Sequence, residues 1–473
     1  MRRNSVTNDD LAFSDATTLQ KLMTAGSISS VELTKLYLDR LEKYGHVYGA
    51  VVTILHERAM KEAKRADRER KAGKLRSPLH GVPYGVKDLL ATPDAPTTWG
   101  AAPYRDQHFD FDATVVKRLS DAGAVLLAKL AMVELAGGFG YGDADASFTG
   151  PGRTPWNAKF WSGGSSSGTG ASVAAGLVGF GIGTETSGSI LFPATACGIT
   201  GLRPTYGRVS RHGAMALCWS LDKIGPMARS ARDTEAILRV IAGADPADPT
   251  AVDRPLTAPS RRPRIAVLKD ATDGVMPAVK ANFDAALKVL AQFCDVTTDV
   301  ALPSAPYGAV VGTIVSAEGA AAFRDLIESG KSRMLQQTDD KLGGYASYAT
   351  LAVDYIDAQR SRPMMIKKVN DAFGKYDGVA TPTLSSVSYP VGVPFSKAYP
   401  DVKGGPSLIG VGNACGLPAI GMPNGFGDNG LPTGISLLGV AFGEARLTGI
   451  AKRYQAATDF HTRRPTLVEA VPT

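Results

Sequence analysis

Three short segments place a lysine or a serine on a glycine-rich turn. They are Gly81-Val-Pro-Tyr-Gly-Val-Lys87-Asp88, Gly163-Gly-Ser165-Ser-Ser-Gly-Thr-Gly170 and Gly183-Thr-Glu-Thr-Ser-Gly-Ser189-Ile190. Lys87 ends an apolar, strand-like run, where lost hydration pushes an amine below its ordinary pKa of about 10.4. A lysine held neutral can act as a base. A serine hydroxyl is inert until a neighbour takes its proton, so a lysine linked to it through a second hydroxyl can replace the more usual histidine. The glycines around Ser189 let the backbone N–H groups of Thr186, Ser187, Gly188 and Ser189 converge on one point, as an oxyanion hole requires. The chemistry expected is acyl transfer, with Ser189 as nucleophile, Ser165 as proton relay and Lys87 as base. It needs neither metal nor cofactor.

A second reading starts from the same residues. Gly164-Ser165-Ser166-Ser167-Gly168 also fits G-x-S-x-G, the nucleophile elbow, which would make Ser166 the nucleophile with a downstream aspartate and histidine. Only His212 and His461 follow it. His212 lies in a basic turn, both histidines read as solvated, and no strand–elbow–helix pattern precedes Ser166.

The elements that must carry these turns alternate in type. Near the N-terminus Ser29-x-x-Glu32 forms a capping box before Leu33, Tyr37, Leu41 and Tyr44, an amphipathic helical stripe closed by Gly45. Residues up to about 75 read as a helical region packing on the core. From Gly81 to about Arg232, apolar runs such as Ala124–Ala128 and Val178–Ile182 alternate with Gly-rich turns and Ala-rich helices, the pattern of a sheet with helices on its faces. Asp245 to Pro263, with five prolines, reads as a surface connection. Beyond it a strand (Arg264–Lys269), a helix (Val275–Phe293) and a strand (Asp295–Val300) resume the alternation.

Composition narrows the partners. Across 473 residues, 44% are hydrophobic and 21% charged, near the averages for a globular protein. The net charge of +7 is dispersed. Its densest stretch, His56 to Lys74, has eight Lys or Arg against four acids and reads as a solvated helix face with pairs Glu57–Lys61 and Asp67–Lys71. No aromatics interleave with it, so no nucleic-acid partner is expected. Cys197, Cys218, Cys294 and Cys415 are widely separated and lack metal-ligand spacing, so they read as small buried hydrophobes. The start Met1-Arg2-Arg3-Asn4 has no apolar segment behind it, and no window suits a membrane span. A cytoplasmic protein without a membrane partner is expected, and a homodimer is left open.

Taken together the three segments resemble the amidase signature family, and the resemblance runs from the N-terminal helices to about Leu447. The G-V-P-x-x-V-K-D, G-G-S-S-x-G and G-T-x-x-x-G-S-I patterns occur in order. Flanking matches are Thr154-Pro155-Trp156-Asn157, Pro193-Ala194, Gly201 to Arg208, Ser220-Leu221-Asp222, Gly225-Pro226-Met227, Asn413 to Pro418 and Gly430 to Gly434. The resemblance implies a single domain over 1–473, an α/β/α sandwich around a mixed, twisted central sheet, with Ser165 in a cis peptide. It implies hydrolysis of a C–N bond in a small-molecule amide or carbamate. Rivals are the glutaminase (A) component of a tRNA-dependent amidotransferase and a non-catalytic binding module on the same scaffold.

Three positions depart from the pattern: Leu191 where arginine is common, Ser436 where glutamine is frequent, and Ala131 where asparagine often stands. None belongs to the Lys87–Ser165–Ser189 set, so the departures bear on substrate preference; Leu191 also removes a cation that would receive a charged amino-acid substrate. Ala136, Gly137 and Gly138 match the region walling the family's substrate site, and their small size implies a roomy entrance. Cys218 and Trp219 are a second pocket candidate.

Overall fold

The computed structural model describes residues 7–471, so Met1–Asn4 lie outside the described residues. Eleven strands form one sheet: β1 (Val51–Ile54), β2 (Pro83–Lys87), β3 (Val125–Leu130), β4 (Phe180–Glu185), β5 (Thr200–Arg203), β6 (Lys223–Ala228), β7 (Arg264–Leu268), β8 (Asp295–Val300), β9 (Gly378–Pro382), β10 (Ala419–Phe426) and β11 (Pro432–Leu438). Their order is β1-β3-β2-β4-β6-β5-β10-β11-β9-β7-β8. β2 is parallel to both β3 and β4, whereas β4–β6, β5–β10 and β10–β11 are antiparallel, so the sheet is mixed. The fold is α/β, a mixed central sheet flanked by helices. β2, β3 and β4 are buried along their whole length, as expected of strands covered on both faces.

The N-terminal region is not wholly helical. Val51-Val-Thr-Ile54 is a β-branched run suited to a pleated surface, and it forms the sheet's edge strand, antiparallel to β3. The Ser30–Tyr44 helix starts at the predicted capping box, and Leu33, Tyr37 and Leu41 are fully buried on its inner stripe. In the His56–Lys71 helix the predicted local pairs give way to longer-range ones. The Asp67 carboxylate accepts the N–H groups of Ser30 and Val31 at 2.8 and 3.0 Å, capping the other helix. Arg58 joins Glu62, Asp94 and Asp112 rather than facing water. Positive charge here is thus partly spent inside the fold.

The connection 245–263 carries no helix or strand, and β7, the Pro277–Leu290 helix and β8 follow as the sequence indicates. Among the described residues no helix is long and apolar enough to cross a membrane.

Candidate active site

Lys87 is the last residue of β2, between β3 and β4, and its side chain is fully buried. Its Nζ donates to Ser165 Oγ at 2.7 Å and to Thr184 Oγ1 at 3.0 Å. Among the described residues no carboxylate touches it. Burial therefore dominates and lowers its pKa from 10.5 to about 7, although Asp222 and Glu185 at longer range pull it upward. An amine in that range is substantially neutral at neutral pH and can accept a proton.

Ser165 follows a cis Gly164–Ser165 peptide. Gly164 packs closely on its neighbours, and a Cβ there would fall 2.7 Å from the Trp161 ring and 2.8 Å from Val133. Two backbone bonds tie this turn to the rest of the site: Val133 N–H donates to the Ser165 carbonyl at 3.1 Å, and Ser166 N–H to the Ser189 carbonyl at 3.3 Å. The Ser166 hydroxyl is fully buried and faces the backbone of Thr184. It has no opening to a substrate, which removes the elbow reading. His212 is exposed, while His461 is half-buried rather than solvated, and burial lowers its pKa.

Ser189 lies just past the end of β4 and is 8% exposed. Among the described residues no hydrogen bond joins its Oγ to that of Ser165, so the structure closes one of the two contacts the sequence suggests. The intervening loop turns through Gly188 at φ +92°, which favours glycine. Among the described residues the N–H groups of Thr186, Ser187, Gly188 and Ser189 have no protein acceptor. Free N–H groups on one tight loop can receive an anionic oxygen.

Two buried carboxylates that sequence reasoning missed hold this loop. Glu185 Oε2 accepts the N–H groups of Ile190 and Leu191, and Oε1 meets Arg203 Nη1 at 2.7 Å and Asn413 Nδ2 at 3.0 Å. Burial alone would raise this acid, but Arg203 and the donated hydrogen bonds outweigh it and hold the pKa at about 2. Asp222 accepts the Thr186 hydroxyl and the N–H groups of Leu217 and Cys218. Arg203, Asn413 and Asp222 each sit in a flanking match noted in the sequence, which was the available signal. Their partner across the fold was not legible. Beside them Lys223 is also buried, and burial followed by repulsion from Arg203 lowers its pKa to about 7.

A cavity of about 210 Å³ opens beside Thr184 and Thr186. Its walls include Ala136, Met215, Leu217 and Trp219, with Asp222, Lys223 and Arg211 at its polar side. Of the predicted pocket residues, Ala136 and Trp219 line it. Gly137 and Gly138 do not: a Cβ on either would meet Tyr141 or Leu217, so their small size serves packing of the loop. Cys218 turns inward, where its Sγ contacts Glu318 at 3.1 Å. Leu191 is buried beside Gly421, and Ser436 hydrogen-bonds Thr383, so neither departure faces this cavity. All four cysteines are free and buried. Among the described residues no group of three His, Cys, Asp or Glu could hold a metal.

Residues 32–448 match the Amidase family model. The chain is 38% identical to the A component of the glutamyl-tRNA(Gln) amidotransferase of Roseiflexus sp. (strain RS-1), over 97% of this chain and 98% of that one. The peptide amidase of Stenotrophomonas maltophilia superposes with a TM-score of 0.83 at 30% identity, covering 96% of this chain and 98% of its own. A chain from a vestigial protein complex that bears on the origins of an s-triazine catabolic enzyme gives 0.86 at 27%, with 94% and 98% covered. With a family match spanning nearly all of the sequence, the chain belongs to the amidase family, the amidase signature enzymes that act on C–N bonds.

Proposed function

We propose that this chain is a free-standing serine amidohydrolase that cleaves an uncharged small-molecule amide or carbamate through an acyl-enzyme on Ser189. The supporting observation is the buried Lys87 amine, lowered to a pKa of about 7 and hydrogen-bonded to Ser165 at 2.7 Å, with no carboxylate partner among the described residues. In the proposed cycle neutral Lys87 takes the Ser165 proton while Ser165 takes that of Ser189, and Ser189 Oγ attacks the carbonyl carbon. The new oxyanion faces the N–H groups of the Thr186–Ser189 loop. Collapse breaks the C–N bond as Ser165 passes a proton to the departing nitrogen and recovers its own from Lys87. Water, deprotonated along the same route, then releases the acid and frees Ser189.

The cavity supports a neutral acyl or leaving group. Ala136, Met215, Leu217 and Trp219 give it an apolar wall. A second reading, glutaminase within an amidotransferase, is favoured by the full-length likeness to the Roseiflexus amidotransferase component. A panel of amides, carbamates and esters sharing one chromogenic leaving group, with glutamine alongside, separates the two. Turnover of simple amides by the purified chain supports the proposal. Activity confined to glutamine and dependent on partner proteins overturns it.

A further inference from the structure

Among the described residues eleven large hydrophobic side chains are exposed, and eight of them fall between Met334 and Met364. That concentration is not the scatter expected of a solvated surface. The segment spans two helices, Thr338–Ser347 and Ala352–Phe373, which pack on a third, Tyr307–Ala322. Between them runs an open groove of about 580 Å³ whose floor includes Ala309, Gly312 and Ala349. Gly312 is an interior helix position, where glycine is unfavourable relative to alanine by roughly 0.5–1 kcal/mol. A Cβ there would meet nothing within 4 Å, so packing inside this chain gives no reason for glycine at that position.

Knobs that suit the groove stand beside it. Val353 and Ile356, three residues apart on one helix face, are 62% and 53% exposed, and Leu351 ahead of them is 60% exposed. Arg360 extends the same row, while Asp354 and Asp357 of the adjacent row line the groove. All three charges are exposed, and among the described residues none enters an ion pair. Knob and hole, cation and anion, thus lie side by side on one face. A surface with both halves of a contact is complementary to itself under a twofold axis.

We propose that this face joins two copies of the chain, with the Val353–Ile356 row of each seated in the groove of the other and Arg360 facing Asp354 and Asp357 across the axis. Sedimentation velocity and light scattering across micromolar concentrations test it without reference to activity. The wild-type chain is expected to be a dimer. Ile356→Glu buries a charge at the contact, and Gly312→Leu fills the groove from a position whose Cβ meets nothing within 4 Å. Each should weaken association by on the order of 100-fold, with unchanged circular dichroism below the melting transition. Arg360→Asp should weaken it too, and adding Asp354→Arg and Asp357→Arg should restore it. A monomeric wild-type chain, a dimer indifferent to these substitutions, or a different protein bound to this face would overturn the proposal.

Discussion

The Thr186 hydroxyl donates to the buried carboxylate of Asp222 at 2.6 Å, and the same aspartate accepts the N–H groups of Leu217 and Cys218. One side chain therefore fixes both the loop that leads to Ser189 and the cavity wall that leads to Trp219. Asp222→Ala should leave three buried donors unpaired, at a cost of about 1–3 kcal/mol each where water cannot replace the acceptor. We expect a lower melting temperature and a fall in kcat of on the order of 10²-fold, as for removal of an oxyanion donor. Steady-state kinetics with thermal melts check this; a loss confined to KM would remove Asp222 from the positioning of the loop.

Glu185 holds the other end of that loop through Ile190 and Leu191 and is matched by Arg203. Glu185→Gln leaves the guanidinium without its counter-charge, an effect worth about 3–5 kcal/mol for buried pairs. Because the folded pKa of about 2 lies below the ordinary 4.5, the carboxylate's contribution is complete above pH 4.5 and is lost as pH falls toward 2. Urea midpoints of wild type and variant should therefore differ most at neutral pH and converge on acidification. A gap constant with pH would mean that the charge of Glu185 does not stabilise the fold.

How much of this is legible in the sequence depends on how far each contact reaches along the chain. Lys87, Ser165 and Ser189 announce themselves because each sits in a local pattern of small residues that a tight turn demands. The capping box at Ser29 and Glu32 is local in the same sense, and it appears where expected. Helical spacing pairs Asp67 with Lys71, but its actual partners, Ser30 and Val31, lie in a different helix. Glu185 and Asn413 are 228 positions apart and meet only because β5 and β10 pair in the sheet. Val51–Ile54 reads as part of a helical region because four residues between two strong helices carry little periodicity, and tertiary pairing with β3 decides them. The direction of Cys218 is equally hidden, since Trp219 beside it points the other way.

Lys87 carries a stability signature separate from its chemistry. Its folded pKa of about 7 lies below the ordinary 10.5, so between those values the unfolded chain binds the proton more strongly and wild-type stability rises with pH. Lys87→Met, which removes the amine but keeps the length, should be more stable than wild type at pH 7, with the gap narrowing toward pH 10. Denaturant titrations at pH 7, 8.5 and 9.5 measure it. A variant less stable than wild type throughout would show that the amine is not a buried, poorly solvated group.

Trp219 lines the cavity while 45% of it stays exposed, and its carbonyl is pinned by the Tyr206 hydroxyl and Arg211. A ring held on a fixed backbone can stack on a planar substrate group. Trp219→Ala should raise KM several-fold for aryl amides and leave KM for short alkyl amides nearly unchanged. Michaelis curves for the two series decide the matter, and equal effects on both would make Trp219 a general wall rather than a selective one.

The proton path makes the most demanding prediction, because Ser165 stands between the Lys87 amine and the hydroxyl that must attack. If neutral Lys87 is the base, kcat/KM rises with pH along a limb inflecting near the lysine pKa of about 7. Lys87→Ala should lose on the order of 10⁴-fold in kcat, by analogy with triad knockouts. Lys87→Arg should be almost as poor, since a guanidinium stays protonated. Ser165→Ala breaks the relay for every substrate, but it also removes the group that hands a proton to the leaving nitrogen. An amine leaves badly unless protonated, whereas a nitrophenolate needs no proton. Ser165→Ala should therefore harm an anilide more than the nitrophenyl ester of the same acid, and the ratio of the two losses isolates the donor role from the base role. Equal losses on both substrates would confine Ser165 to positioning, and a Lys87→Arg enzyme with near-normal rates would take the lysine out of the mechanism.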